Sequence, residues 1–296
     1  MGDSTGSLQR KIGSAGDLQS VVRTMKAMAA ASIGQYENAV RSLDEYYRTV
    51  QLGLVACIHL NRPSAPRHAE KQDDSAIGAI VIGSDQGLVG QFNDVLASFV
   101  TTTLDKRPGK KTVWAIGERI QSRLAETPFG CVESFVLPNS IDAITPLVGQ
   151  ILIEMESHRE NGDISQVYLF HNRPQSGAIY TPVSQRLLPL DDAWQRDLAA
   201  IPWPTKTLPE VMNGHDQTFL AIIREYIFVS LFRACAESLA SENGSRLAAM
   251  QRAEKNIDEL LEDLNRTFQR LRQSSIDEEL FDVISGFEAL GQSKIA

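Results

Sequence analysis

The stretch that decides the fold is residues 36–54, which read YENAVRSLDEYYRTVQLGL. Its large apolar residues recur at alternating steps of four and three, at Tyr36, Val40, Leu43, Tyr47, Val50 and Leu54. This spacing places them on one side of an α-helix and is typical of a coiled coil. The pattern continues less regularly upstream to Leu8, and residues 7–59 contain no proline. We therefore predict one N-terminal helix of roughly 75 Å, far longer than the helices of an ordinary domain.

A second apolar stripe lies near the C-terminus, in residues 210–290, which also contain no proline. Towards its end, large residues again alternate at steps of four and three, at Ile257, Leu261, Leu264, Phe268 and Leu271. In its middle the stripe consists of small residues, namely Ala234, Ser238, Ser241, Ser245 and Ala248. Small residues let another backbone approach closely, whereas large ones fill a wider gap. This pattern predicts a helix of roughly 75 residues and 110 Å.

Between the two stripes, strand and helix patterns alternate, which predicts an α/β domain with a largely parallel sheet. Short apolar runs predict strands at residues 77–83, 112–117, 132–136 and 166–171, and a further strand pair within residues 178–188. Amphipathic segments predict helices at residues 88–104, 118–125 and 141–158. A polar loop is expected at residues 61–75, and an irregular link with three prolines at residues 191–209.

The two terminal stripes can bury each other only if their helices lie antiparallel, because each helix alone would expose an apolar face. The predicted fold is thus α/β, with a long antiparallel two-helix coiled coil from the N- and C-termini and an inserted Rossmann-like α/β domain. The predicted domains are residues 1–60, 76–190 and 210–296. Since the C-terminal helix is the longer, part of its stripe must pack on the α/β domain or on another partner.

Composition excludes several classes of function. The chain has 29 basic and 37 acidic residues, a net charge of −8, which argues against a nucleic-acid or lipid-surface binder. Its three cysteines, Cys57, Cys131 and Cys235, form no C-x-x-C pair, and its five histidines lack metal-ligand spacing. Neither a metal site nor a disulfide framework is expected. The apolar runs are too short for a transmembrane helix, and the first residues do not read as a signal peptide.

Three segments resemble the gamma subunit of F-type ATP synthases, and together they cover nearly the whole chain in order. The first comprises LQRKI at residues 8–12 and RTMKAMAAAS at residues 23–32. The second, SDQGLVGQFN at residues 84–93, is similar to a Ser-Asp-Arg-Gly-Leu-Cys-Gly-Gly-x-Asn signature. The third and most specific pairs ESLASEN at residues 237–243 with RQSSIDEEL at residues 272–280.

This resemblance implies a rotating central shaft that couples ion flow to ATP synthesis or hydrolysis, with no active site, cofactor or metal of its own. It implies contacts with the alpha and beta subunits of the catalytic head, the epsilon subunit and the membrane c-ring. The location it implies is peripheral, on the cytoplasmic face of the bacterial inner membrane. The apolar tail at residues 284–290 would turn in an apolar bearing. Candidate partner contacts are polar, mostly basic residues of the two helices: Arg10, Lys11, Arg23, Lys26, Arg266, Arg270, Arg272 and Gln273.

Departures from the family pattern keep a second variant of this function open. Gln86, Val89 and Gln91 stand where the family usually has Arg, Cys and Gly, and residues 32–36 lack the usual basic character. They indicate a divergent branch, for which the alternative, sodium-pumping bacterial F-type ATPase is a candidate.

Two other classes of function compete with the shaft. A nucleotide-binding enzyme would use the glycines at Gly83, Gly87 and Gly90, but their G-x-x-x-G-x-x-G spacing differs from the dinucleotide motif. A static coiled-coil scaffold would have the same helices without rotation, and it predicts a stable dimer in solution.

Overall fold

A computed structural model describes residues 4–60, 76–129, 131, 133–175, 178–190, 192–207, 209–210 and 215–292. The chain divides into two compact units. Unit 1 comprises Met1–Met28 and Leu247–Ala296, and unit 2 comprises Ala29–Arg246. The predicted loop at residues 61–75 lies outside the described residues.

Six helices and five strands occur in the described part of the chain. In chain order they are α1 (Thr5–Leu60), β1 (Ile77–Ile82), α2 (Phe92–Asp105), β2 (Lys111–Ile116), α3 (Glu118–Ala125), β3 (Glu133–Phe135), α4 (Ile144–Glu160), β4 (Gln166–Gln175), β5 (Ala178–Leu188), α5 (Asp192–Ala199) and α6 (His215–Gln292). In that same part, no helix combines the length and apolar character needed to cross a bilayer.

The five strands of unit 2 form one mixed sheet in the order β3-β2-β1-β4-β5. Strands β1 to β4 pair in parallel, and β5 runs antiparallel to β4. The central strand β1 is buried along its whole length, as a strand covered on both faces must be. Its side chains alternate between the faces: Ile77 and Val81 join a core with α2 and α3, while Ile80 and Ile82 join the core on the other face.

The second face of the sheet is covered by α4 and by the parts of α1 and α6 that belong to unit 2. Tyr36, Val50 and Leu54 of α1 share one apolar core with Tyr226 and Leu231 of α6 and with the strands. The stripe at residues 36–54 is therefore buried together with α6, as predicted, but strands of the sheet belong to the same core.

In unit 1, α1 and α6 pack against each other through a narrow apolar core. Buried positions on α1 recur every seven residues, at Leu8, Ala15 and Val22. Val22 packs in a cluster with Met250 and Ile257 of α6, which are also seven residues apart. This is the repeat of a coiled coil. The predicted fold class, two long terminal helices packed together with an inserted α/β sheet, is confirmed.

Three local predictions need correction. Residues 178–188 form one strand, not a strand pair, because β4 runs on to Gln175 and gives β5 a partner over its length. Part of the predicted irregular link is helix α5, which buries Leu198. Helix α2 begins at Phe92 and not at residue 88, because Leu88 and Gly90 both adopt positive φ, at 62° and 60°.

Candidate functional site

The crevice at the carboxyl ends of the strands is where open α/β sheets usually bind ligands, at the point where the strand order reverses. In this sheet that point lies between β1 and β4. Helix α6 fills it, and three serines of its small-residue stretch donate hydrogen bonds to main-chain oxygens there. The bonds run from Ser238 Oγ to Ile82 O (3.1 Å), from Ser241 Oγ to Asn172 O (3.1 Å) and from Ser245 Oγ to Val89 O (2.6 Å). The small-residue stretch thus packs on the α/β domain, one of the two expected alternatives.

A second potential nucleotide site, the N-terminus of α3, is also occupied by the chain itself. Helix N-termini attract phosphate because their first N–H groups lack partners. Here the Asp85 carboxylate accepts hydrogen bonds from the backbone N–H of Glu118 (2.9 Å) and of Leu137 (3.2 Å). At this helix a carboxylate of the chain therefore holds the position that a phosphate would take.

The glycine at the end of β1 serves close packing. A Cβ atom on Gly83 would lie 2.2 Å from the Cβ of Ile120 and 2.8 Å from Oδ1 of Asn93. Asn93 needs that space, because it pairs with Ser84 through both the backbone N–H (3.1 Å) and the hydroxyl (2.8 Å). Among the residues that the structure describes, no three His, Cys, Asp or Glu side chains come together in a group that could hold a metal ion.

Two of the candidate contact residues are engaged within unit 1. Arg23 Nε lies 2.9 Å from one carboxylate oxygen of Glu254, and Lys26 Nζ contacts the other oxygen. These two hydrogen bonds lower the pKa of Glu254. Gln19 donates a hydrogen bond to Asp258 on the same side of the helix pair. One side of the α1–α6 pair is therefore a polar, charged edge.

The other candidates lie on exposed positions of the same unit. Arg10 donates from Nε to the carbonyl oxygen of Gly6 (3.3 Å), and Arg266 Nη1 pairs with Asp263 (3.3 Å) along its own helix. Arg23 and Lys26 thus both bind Glu254 on the other helix, whereas Arg266 binds Asp263 of its own helix. The remaining four are exposed: Lys11, Arg270, Arg272 and Gln273. Their proposed role as partner contacts stays a prediction.

Unit 1 also exposes large apolar side chains, of which only Ile284 belongs to the tail that the sequence analysis singled out. On α1 these are Leu18, Val21 and Met28. On α6 they are Leu260, Ile276, Leu280, Phe281, Val283 and Ile284. The signal was present in the sequence, since residues 276, 280, 283 and 284 recur at helical spacing. Of the predicted apolar tail, the side chains beyond residue 285 lie outside the described residues.

A buried charged cluster in unit 2 was also missed. The Glu237 side chain, only 4% exposed, accepts hydrogen bonds at 2.8 Å from each of His171 Nε2, Arg173 Nε and Arg233 Nε. Burial would raise the pKa of Glu237, but these donors lower it to about 2. Burial lowers the pKa of His171, against the opposing effect of Glu237. The carboxylate is therefore ionised, and the imidazole is held towards its neutral form.

Two long terminal helices packed together, and an inserted α/β domain whose crevice is filled by α6, define the fold class of this chain. A sequence model of the family described as ATP synthase matches residues 4–290. The ATP synthase gamma chain of Polynucleobacter asymbioticus is 24% identical over 295 residues, covering 97% of this chain and 99% of that one. That of Nitrosomonas eutropha is 26% identical over 307 residues, covering 96% and 98%. The chain belongs to the ATP synthase gamma chain family.

Solved structures agree on the fold. A chain from the rotor of the Euglena gracilis mitochondrial ATP synthase superposes with a TM-score of 0.63 at 16% identity, covering 92% of this chain and 98% of that one. A chain from the central stalk and c-ring of the Tetrahymena thermophila enzyme gives 0.58 at 20% identity, covering 79% and 99%. The predicted resemblance, and the predicted assignment as the non-catalytic central-stalk gamma subunit of an F-type ATP synthase, are confirmed.

Proposed function

We propose that the chain is the turning rotor that couples ion flow through the membrane sector to ATP synthesis or hydrolysis. Unit 1 turns inside the head formed by alpha and beta subunits. Unit 2 receives the torque from the epsilon subunit and the c-ring. The complex sits peripherally on the cytoplasmic face of the bacterial inner membrane.

One observation carries this proposal, the apolar surface that unit 1 exposes on both helices. Phe281 and Val283 are 69% and 67% exposed, and Met28 is 66% exposed. A protein that acted alone would rarely leave so many large apolar groups in water along one helix pair, and such surfaces mark contacts with partners. An apolar surface also suits a rotating contact, because burial of apolar area has no preferred direction.

Exposed basic residues near the end of α6 add charged groups to the proposed contact with the catalytic head. Arg270 and Arg272 are exposed cations beside the apolar surface. We infer that they push against acidic loops of the beta subunits, as the family resemblance implies. Guanidinium groups suit that role because they remain charged and can bind a carboxylate through two hydrogen bonds.

Support for the position at the foot of the complex comes from the similar chains. The Tetrahymena chain belongs to a central stalk with its c-ring, and another similar Euglena chain to an assembly of OSCP, F1 and c-ring. The latter superposes with a TM-score of 0.61 at 16% identity. We infer that unit 2 with its sheet is the part that meets the epsilon subunit and the c-ring, as the family resemblance implies.

Reconstitution tests the proposal. The chain is mixed with alpha and beta subunits from the same source, and ATP hydrolysis by the assembled head is measured with and without it. We expect hydrolysis to depend on the chain. Replacing both Arg270 and Arg272 by Gln should lower turnover by at least about tenfold, because the loss of one hydrogen bond to a charged group, worth about 1.5–3 kcal/mol, already corresponds to roughly that factor or more.

Lys255→Gln is the matched control, because Lys255 is an exposed cation of α6 that pairs with Glu259 on its own helix at 3.8 Å. It should leave turnover unchanged. A static scaffold would instead form a stable dimer alone and leave hydrolysis by alpha and beta subunits unaffected. Either of those results would contradict the rotor proposal.

A further inference from the structure

The contacts between α6 and the sheet of unit 2 are unlike those within unit 1, because they are buried, polar and directional. Glu237 binds two residues of β4, His171 and Arg173, through one carboxylate oxygen. Its other oxygen binds Arg233, one turn earlier on α6. A single carboxylate therefore ties the helix to the central part of the sheet.

The same cluster reaches α1. Arg233 pairs with Asp44 of α1 at 3.0 Å, and its guanidinium lies 5.5 Å from the centre of the Tyr47 ring. The charges of Arg173 and Arg233 balance those of Glu237 and Asp44, so the cluster is neutral when His171 is neutral. Strand β4, helix α6 and helix α1 thus meet in one set of charge-assisted hydrogen bonds, which are stronger than neutral ones.

The three serines of α6 extend the attachment along the helix. Ser238, Ser241 and Ser245 follow each other at steps of three and four, so they lie on one side of it. Each donates to a main-chain oxygen, and a main-chain acceptor cannot turn away as a side chain can. Together with Glu237 they fix how α6 is rotated about its own axis against the sheet.

A rotation of α6 about its own axis, relative to the sheet, would break these hydrogen bonds. Side-chain tips lie roughly 5–6 Å from the axis of a helix, so a rotation of about 20° moves them by about 2 Å. Hydrogen bonds of 2.8 Å do not survive such a displacement. An apolar coiled-coil contact has no comparable directional preference.

We propose that Glu237, with His171, Arg173 and Arg233, is a torsional lock that carries torque from the α/β sheet of unit 2 into α6. This role rests on the proposed rotor function and assigns it to particular residues. They are positioning residues, because they act by holding α6 and touch no reacting group. When the sheet is turned, the lock makes α6 turn by the same angle.

The test uses the complete ATP synthase in membrane vesicles, where ATP-driven ion pumping and ATP hydrolysis are measured on the same sample. In Glu237→Gln we expect hydrolysis without an opposing ion gradient to continue. We expect the gradient at which pumping stalls to fall below the native value, because α6 can slip against the sheet under load. A loss of folded complex would lower hydrolysis and pumping together and leave the stalling gradient unchanged.

Glu242→Gln is the matched control. Glu242 is a buried glutamate five residues further along α6, but its ion pair is with Arg246 of the same helix, at 2.6 Å. It should leave the stalling gradient at the native value. Should Glu237→Gln fail to assemble, Arg173→Gln replaces it, because that side chain is 46% exposed and contributes one bond to the cluster.

The results separate the lock from the rotor function itself. A lower stalling gradient in Glu237→Gln or Arg173→Gln, but not in Glu242→Gln, supports the lock. Native stalling gradients in the Glu237 and Arg173 variants, or an equal loss in Glu242→Gln, would overturn it while leaving the rotor function intact. Absence of pumping with the unaltered chain would instead count against the rotor function.

Discussion

The Glu237 cluster makes unit 2 sensitive to acid in a predictable direction. The folded-state pKa of Glu237, about 2, lies below its ordinary value of 4.5. Stability from this group is therefore fully present above about pH 4.5 and is lost as pH falls towards 2, amounting to about 3 kcal/mol. The lowered pKa of His171 acts in the same direction, because below about pH 6.5 the unfolded chain takes up a proton that the folded chain resists.

Urea unfolding at several pH values checks this expectation. All three tryptophans, Trp114, Trp194 and Trp203, belong to unit 2, so their fluorescence reports on that unit. Glu237→Gln should remove the part of the loss of stability between pH 4.5 and 2 that Glu237 contributes, about 3 kcal/mol. Glu242→Gln is the control, because burial raises the pKa of Glu242 and gives it the opposite pH dependence. An unchanged acid response in Glu237→Gln would contradict the assignment.

At the scale of elements, the sequence predicted the structure that depends on residues close together in the chain. It did not predict contacts between residues far apart in the chain. The apolar stripe of α1 and the bounds of α3 follow from local residue spacing. The small residues of α6 predicted that another backbone packs close to this helix. The partner of Glu237 could not be predicted, because His171 lies 66 residues away and meets it only through tertiary packing. The extent of β4 and β5 depends in the same way on each other.

The end of α6 carries a prediction of its own. Ending the chain before Gly286 removes the last residues of the helix but keeps the exposed apolar groups from Ile276 to Ile284. We expect the shortened chain to assemble with alpha and beta subunits, because the remaining contacts persist, and to deliver less torque. Assembly is measured by gel filtration, and torque by the stalling gradient in vesicles. If the shortened chain failed to assemble, the tail would be needed for assembly, which would contradict its role as the apolar end that turns in a bearing.

For the whole molecule, the two units differ in what stabilises them. Unit 2 contains a sheet with apolar cores on both faces. Among the residues that the structure describes, the buried apolar side chains of unit 1 are few: Leu8, Ala15, Val22, Met250 and Ile257. Apolar burial is the main stabilising term in folding, at roughly 25 cal/mol per Å². In the isolated chain, the helices of unit 1 should therefore unfold at a lower urea concentration than unit 2. This order is expected if contacts with partner subunits normally stabilise unit 1.

Two probes test this order of unfolding. Far-UV circular dichroism should begin to fall at urea concentrations at which tryptophan fluorescence is unchanged, since non-coincident transitions indicate more than two states. Ile257→Ala, a loss of about 2–5 kcal/mol, should shift only the early transition. Ile80→Ala, in the core of unit 2, should shift only the late one. Coincident transitions, or a late transition that moves with Ile257→Ala, would mean that unit 1 is stable without partners.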